Sequence, residues 1–72
     1  MHIGAKSLAR FTRPNGEAVM INGFAVTAVR APLPDEYPPS VNAVITMGRL
    51  SQGVRETLGQ TTRLLRAHGG RV

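Results

Sequence analysis

The sequence predicts a small α+β domain: a strongly bent antiparallel sheet of four to five strands, either open or barrel-like, with one C-terminal helix. Three features indicate this fold. A tight-turn signal separates two apolar stretches, prolines are concentrated in the middle of the chain, and an amphipathic tail ends in Gly-Gly. With 72 residues we expect one domain, residues 1–72, preceded by an N-terminal extension at 1–7.

The first hairpin is predicted from the turn Arg13-Pro14-Asn15-Gly16 between apolar residues 8–12 and 18–21. Asn-Gly supplies the pair of positive φ angles that a type I′ turn requires, so we expect that turn type. Alternation is imperfect in both strands, and both of their faces should be partly covered.

A second turn is expected at Asn22-Gly23, followed by a third strand over residues 24–29, which are rich in β-branched side chains. In that strand Phe24, Val26 and Ala28 would line one face. We therefore expect Phe11 and Phe24 to belong to the core.

Residues 31–42 are predicted to be a proline-rich loop without regular structure, because proline lacks a backbone donor and has a restricted φ. The loop contains four of the five prolines, at Pro32, Pro34, Pro38 and Pro39. A loop of about a dozen residues is either a functional element or a stiffened crossover between strands.

Residues 44–47 read as a fourth strand, with a turn or bulge at Gly48. The following residues fit either one long helix, which would contain Gly53 and Gly59, or a short fifth strand at 50–54 and a helix at 58–67. We prefer the second, because each glycine inside a helix costs about 1 kcal/mol relative to alanine.

Both ends of that helix carry signals. Thr57 and Gln60 have capping-box spacing, and Gly69-Gly70 provides the stop. Three leucines should pack the helix on the sheet: Leu58, Leu64 and Leu65. Arginines in the last quarter of the chain would favour the helix dipole.

Composition limits the class of protein. Without cysteine, disulfides and thiolate metal sites are excluded, so a domain of this size needs reinforcement from a homo-oligomer or a protein partner. The net charge of +5 would also attract nucleic acid. Neither a long apolar run nor a signal-peptide core occurs, so we expect a cytoplasmic protein without membrane insertion.

No catalytic, cofactor or metal motif is recognisable. The two histidines, His2 and His68, lie near the termini, and the four carboxylates show no constellation of an active site. We therefore expect a non-enzymatic protein without cofactor or small-molecule substrate.

Two interaction hypotheses remain. The first is a protein-binding or self-associating module that uses Asp35, Glu36 and Tyr37 at the centre of the proline loop. The alternative is a basic accessory protein that binds nucleic acid. Its contacts would be Arg10, Arg13, Arg30 and Arg49.

Parts of the chain resemble the small FlbD/SwrD-type motility proteins. The segments that carry the resemblance are Phe11-Thr12-Arg13-Pro14-Asn15-Gly16, Val19-Met20-Ile21-Asn22, Val26-Thr27-Ala28-Val29, Ala43-Val44-Ile45-Thr46-Met47 and Val54-Arg55-Glu56-Thr57. The resemblance covers residues 11–65 and implies a non-enzymatic accessory role in flagellar function through protein contacts. Two segments depart from the family pattern: the loop at 31–42 is longer, and residues 48–52 lack an Asn-Gly or Asp-Gly hairpin. Uncharacterised small bacterial or mobile-element proteins look similar too.

Overall fold

The computed structural model describes residues 7–72. The elements are β1 (Leu8–Thr12), β2 (Ala18–Asn22), β3 (Ala28–Arg30), β4 (Ala43–Met47), β5 (Leu50–Val54) and α1 (Leu58–Ala67). The α+β class is confirmed. The strands form two antiparallel sheets, β1-β2 and β3-β4-β5, rather than one bent sheet, and no closed barrel exists within residues 7–72.

The β1-β2 hairpin is confirmed, but its turn is not of type I′. A type I′ turn would require a positive φ at both central residues, but in this turn Gly16 has a positive φ, of 91°, and Asn15 does not. Gly16 N–H donates to Arg13 C=O at 2.9 Å, and Arg13 N–H donates to Glu17 C=O at 2.7 Å. This is a type I turn followed by a glycine bulge, a geometry that Pro14 favours because proline suits the first central position.

The predicted third strand over residues 24–29 is wrong in its first half. Asn22 caps a short 3-10 turn, Gly23–Ala25, and its side-chain oxygen accepts from Phe24 N–H at 3.0 Å. β3 therefore begins only at Ala28, and the chain leaves the first sheet before it enters the second. Phe24 is 69% exposed, so its predicted place in the core is wrong. The predicted common face of Phe24, Val26 and Ala28 is also wrong, because Val26 packs against the core while Ala28 is exposed.

The second hairpin resolves the ambiguity after Gly48 in favour of a strand. β5 pairs with β4 from Met47↔Leu50 to Ala43↔Val54. Gly48 has φ 62° and is the first of the two turn residues, where a type II′ turn places glycine.

The core lies where the inner faces of both sheets meet α1. Phe11 of β1, Ile45 of β4 and Leu65 of α1 are fully buried in it. The helix bounds and the capping box are confirmed: Thr57 accepts from Gln60 N–H, and Gln60 accepts from Thr57 N–H. Leu64 and Leu65 pack as predicted, but Leu58 is 42% exposed, because it begins the helix at the solvent side.

Residues 31–42 contain neither helix nor strand, as predicted. They cross from β3 to β4 through turns, which include a hydrogen bond from Glu36 N–H to Leu33 C=O at 3.1 Å. Of the predicted N-terminal extension at 1–7, residues 1–6 lie outside the described part of the chain. Ser7 is buried and directly precedes β1.

Candidate interaction surfaces

The proline loop is held by an ion pair. Arg30 Nη1 and Nη2 donate to the two carboxylate oxygens of Glu36 at 2.7 and 2.8 Å, a bidentate geometry. Leu33 N–H donates to Glu36 Oε1 at 3.1 Å. The hydrogen bonds from Arg30, and then the one from Leu33, lower the pKa of Glu36 to about 2, and the same carboxylate raises the pKa of Arg30.

A second contact fastens the loop to the sheet. Gly53 of β5 lies directly under the ring of Tyr37: a methyl group built on Gly53 would meet Tyr37 Cδ1 at 2.9 Å and Val41 Cγ1 at 3.1 Å. Val44, which pairs with Gly53, is fully buried. The loop therefore covers the outer face of β4 and β5, and glycine at 53 makes room for the tyrosine.

These contacts divide the three residues predicted to bind a protein. Asp35 is exposed at the loop tip with φ 63°. Glu36 bonds Arg30 on the surface, and Tyr37 is half-buried against Gly53, so both side chains are engaged in holding the loop. The most exposed apolar side chain of the tip is Leu33, at 63%, which the sequence did not single out.

The four arginines of the nucleic-acid hypothesis lie on different elements of the fold. Arg10 lies on β1, Arg13 in the first turn and Arg49 in the second hairpin turn, all exposed. Arg30 is engaged by Glu36.

Arginines of the last quarter lie closer to one another. Arg55 and Arg63 line an open depression beside α1 with Glu56, Gln60 and Leu64. Arg63 also borders a second depression with Leu58 and Arg66. The sequence predicts a helix-dipole role for the arginines in the second half of the helix. The position of Arg55 beside Arg63 depends on how β5 leads into α1, which no local pattern encodes.

The arginine at 55 has a further structural role. Its Nε and Nη2 donate to Pro14 C=O at 3.2 and 2.6 Å, and its backbone N–H donates to Thr12 C=O at 2.9 Å. The next residue, Glu56, accepts from Thr12. The segment between β5 and α1 thus ties the first hairpin to the rest of the molecule.

Several large apolar side chains remain on the surface of the described chain. Met20 on the outer face of β2 is 53% exposed, and Leu50 at the start of β5 is 70% exposed. Phe24 lies over Gly69, where an added methyl group would meet the ring at 2.7 Å.

No helix within residues 7–72 has the length and apolar character needed to cross a membrane. In the same range, no group of three or more histidine, aspartate or glutamate side chains converges as a metal site would require. No protein-family model matches the chain, and neither a curated protein nor a solved structure matches it significantly.

Proposed function

We propose that the protein is a non-catalytic interaction module of the cytoplasm and that the tip of the proline loop contacts a protein partner. The observation that carries this proposal is the 63% exposure of Leu33 on a loop held by two independent contacts. Isolated exposed apolar residues are common, but this one lies on a loop fixed by Glu36 and Tyr37.

Fixing the loop matters energetically. A flexible loop loses conformational entropy when it binds, at about 0.5–1.5 kcal/mol for each mobile side chain that is immobilised. The Arg30–Glu36 pair and the packing of Tyr37 on Gly53 restrict the loop before any partner arrives. In this proposal Leu33 and Asp35 make the contact, while Glu36 and Tyr37 present them. A role in flagellar function, which the family resemblance implies, remains a prediction.

The proposal is tested by site-specific photocrosslinking in cells that naturally contain the protein. A photoreactive residue replaces Leu33, and the matched control replaces Leu50, which is exposed to a similar extent on another element. We expect a discrete crosslinked protein at position 33 that is absent at position 50. It should weaken when Glu36→Ala releases the loop. Identical products at both positions, or none at 33, would refute the proposal.

Nucleic-acid binding is a second candidate, favoured by the distribution of charge. Of the four carboxylates, Glu36 and Glu56 are engaged in hydrogen bonds to the chain itself, and Glu17 bonds Asn15. Within residues 7–72 neither Arg10 nor Arg13 forms an ion pair, so both of these exposed charges are available to a polyanion. Of the four predicted contacts, Arg10 and Arg13 lie on the same hairpin.

Fluorescence anisotropy with single- and double-stranded DNA and RNA at several salt concentrations tests this candidate. A protein that contacts several phosphates gives a steep negative slope of log affinity against log salt. The double substitution Arg10→Glu with Arg13→Glu should abolish that binding. The matched control, Arg63→Glu with Arg66→Glu on α1, should retain it. No binding near physiological salt would reject the candidate, and loss only with the α1 pair would move the site to the helix.

A further inference from the structure

We propose that two copies of this chain pair through β2, edge to edge and antiparallel, with Met20 at the two-fold axis. The inference goes beyond the proposed function, because it names a second copy of the chain as the partner of a different surface. It places self-association on an edge that is distinct from the proline loop.

The direction of the backbone groups on β2 follows from the hairpin turn. Arg13 and Glu17 close the hairpin as a hydrogen-bonded pair. Bonded and non-bonded pairs alternate in an antiparallel ladder, so Phe11↔Val19 and Ala9↔Ile21 bond across it. The peptide groups of Ala18 and Met20, and the N–H of Asn22, then point to the open side of β2.

The opposite edge of the hairpin confirms this alternation. Thr12, the partner of Ala18 in the register, directs its N–H to Glu56 and its C=O to Arg55 N–H, away from β2. β1 is therefore closed at that point by the segment that precedes α1. On the β2 side, no third strand is paired within residues 7–72.

An antiparallel copy fits these outward groups. With Met20 opposite Met20 of the second copy, the two methionines exchange N–H and C=O bonds. Each Asn22 N–H meets the Ala18 C=O of the other copy. On the inner face, Val19, which is half-buried, comes opposite Ile21 of the second copy. The same surface serves both copies, as a two-fold interface requires.

Charge is compatible with this pairing. Charged side chains and proline commonly protect an edge strand from pairing. Strand β2, Ala-Val-Met-Ile-Asn, has neither, so its edge is unprotected. Arg10 lies across β1-β2 from Met20, so the two Arg10 side chains would be three strand spacings apart, about 14 Å. That exceeds the Debye length of about 8 Å at physiological salt, which screens their repulsion.

The other edges fit a copy less well. β3 has three residues and is followed by Pro32. On β5, Gly53 and Val54 are buried, and an antiparallel copy centred on Gln52 would place Arg49 opposite Arg55. A two-stranded sheet is also the weaker of the two sheets, and pairing through β2 would make it four-stranded.

Sedimentation velocity over a range of protein concentrations tests the proposal. The natural chain should approach the mass of two copies, and added salt should strengthen association because each copy carries a charge of +5. Met20→Lys puts two like charges together at the axis and should give a monomer. Leu50→Lys adds the same charge at another exposed leucine and should still associate.

Amide hydrogen exchange distinguishes this interface from other dimers and checks folding. The Met20 N–H should be protected at high concentration and exchange freely at low concentration, while the Ile21 N–H stays protected at both. Met20→Lys should retain protection at Ile21. The proposal is wrong if the natural chain remains monomeric at millimolar concentration, or if Met20→Lys associates as strongly. Those results would leave the Leu33 crosslink unaffected, so the failure of this inference is separable from failure of the proposed function.

Discussion

The carboxylate of Glu56 accepts two hydrogen bonds from Thr12, one from the backbone N–H at 2.9 Å and one from the side-chain hydroxyl at 2.8 Å. The two residues are separated by 44 positions and join the end of β1 to the segment before α1. Hydrogen bonds to a charged acceptor contribute about 1.5–3 kcal/mol each when partly buried.

Replacing this carboxylate should therefore destabilise the protein. We expect Glu56→Ala to lower the free energy of unfolding by about 2 kcal/mol, because Thr12 N–H loses its acceptor. In a domain of this size that corresponds to a fall in Tm of roughly 8–16 °C. Urea and thermal unfolding followed by circular dichroism would measure it.

The matched control is Glu17→Ala. Glu17 is exposed and its carboxylate bonds only the side chain of Asn15, so the change should stay within about 0.5 kcal/mol. Equal effects of the two substitutions would contradict a structural role of Glu56.

Gly53→Ala should displace the proline loop. The added methyl group would come within 2.9 Å of the Tyr37 ring, and overpacking of this kind costs about 1–3 kcal/mol. Because Tyr37 is the single tyrosine and the chain has no tryptophan, its fluorescence reports the loop directly. Acrylamide quenching of Tyr37 should increase in the variant.

Gly59→Ala provides the comparison on the exposed face of α1. Nothing lies within 4 Å of a methyl group there, so the helix should gain about 0.5–1 kcal/mol from the better helix former, with unchanged quenching of Tyr37. If both alanines left quenching the same, the ring would not rest on Gly53.

The proline loop should open only in strong acid. The folded-state pKa of Glu36, about 2, lies below its ordinary value of 4.5, so the folded state binds fewer protons between these values. The contribution of the pair is fully present above about pH 4.5 and is lost as the pH falls through 2. The Leu33 amide shift and Tyr37 fluorescence, titrated by NMR and fluorimetry, should follow that transition.

Arg30→Gln is the control for the cause of this shift. It removes the largest contribution to the low pKa of Glu36 and should move the titration midpoint of its carboxyl upward toward 4.5. A midpoint unchanged in Arg30→Gln would show that the ion pair is not formed in solution.

The two phenylalanines should differ strongly in their contribution to stability. Phe11 is fully buried, and Phe11→Ala should cost about 3–5 kcal/mol, enough to unfold a domain of this size. Phe24→Ala removes a ring that is largely exposed and should cost less than about 1.5 kcal/mol. Comparable losses in urea unfolding would indicate that Phe24 is buried by an interface.

Local chemistry was sufficient for much of the fold. Thr57 and Gln60 specify the start of α1, Gly48 permits the second hairpin turn, and the prolines exclude regular structure from residues 31–42. These signals act between residues a few positions apart, so they can be recognised in the sequence itself. The alternation of apolar and polar residues likewise predicted that Phe11 and Leu65 belong to the core, and both are fully buried.

Tertiary structure decided what depends on distant partners. β-propensity in residues 24–29 could not reveal that Asn22 would cap a 3-10 turn and divide the strands into two sheets. Nor does any local pattern show that Glu36 pairs with Arg30, that Tyr37 rests on Gly53, or that Glu56 receives both bonds from Thr12. Packing between residues far apart in the chain decides which charged side chains are paired within the molecule. It also decides which edge of a sheet stays open. The sequence alone therefore determined the α+β fold class and most helices and strands. The candidate surfaces depend on how those elements pack together in the tertiary structure.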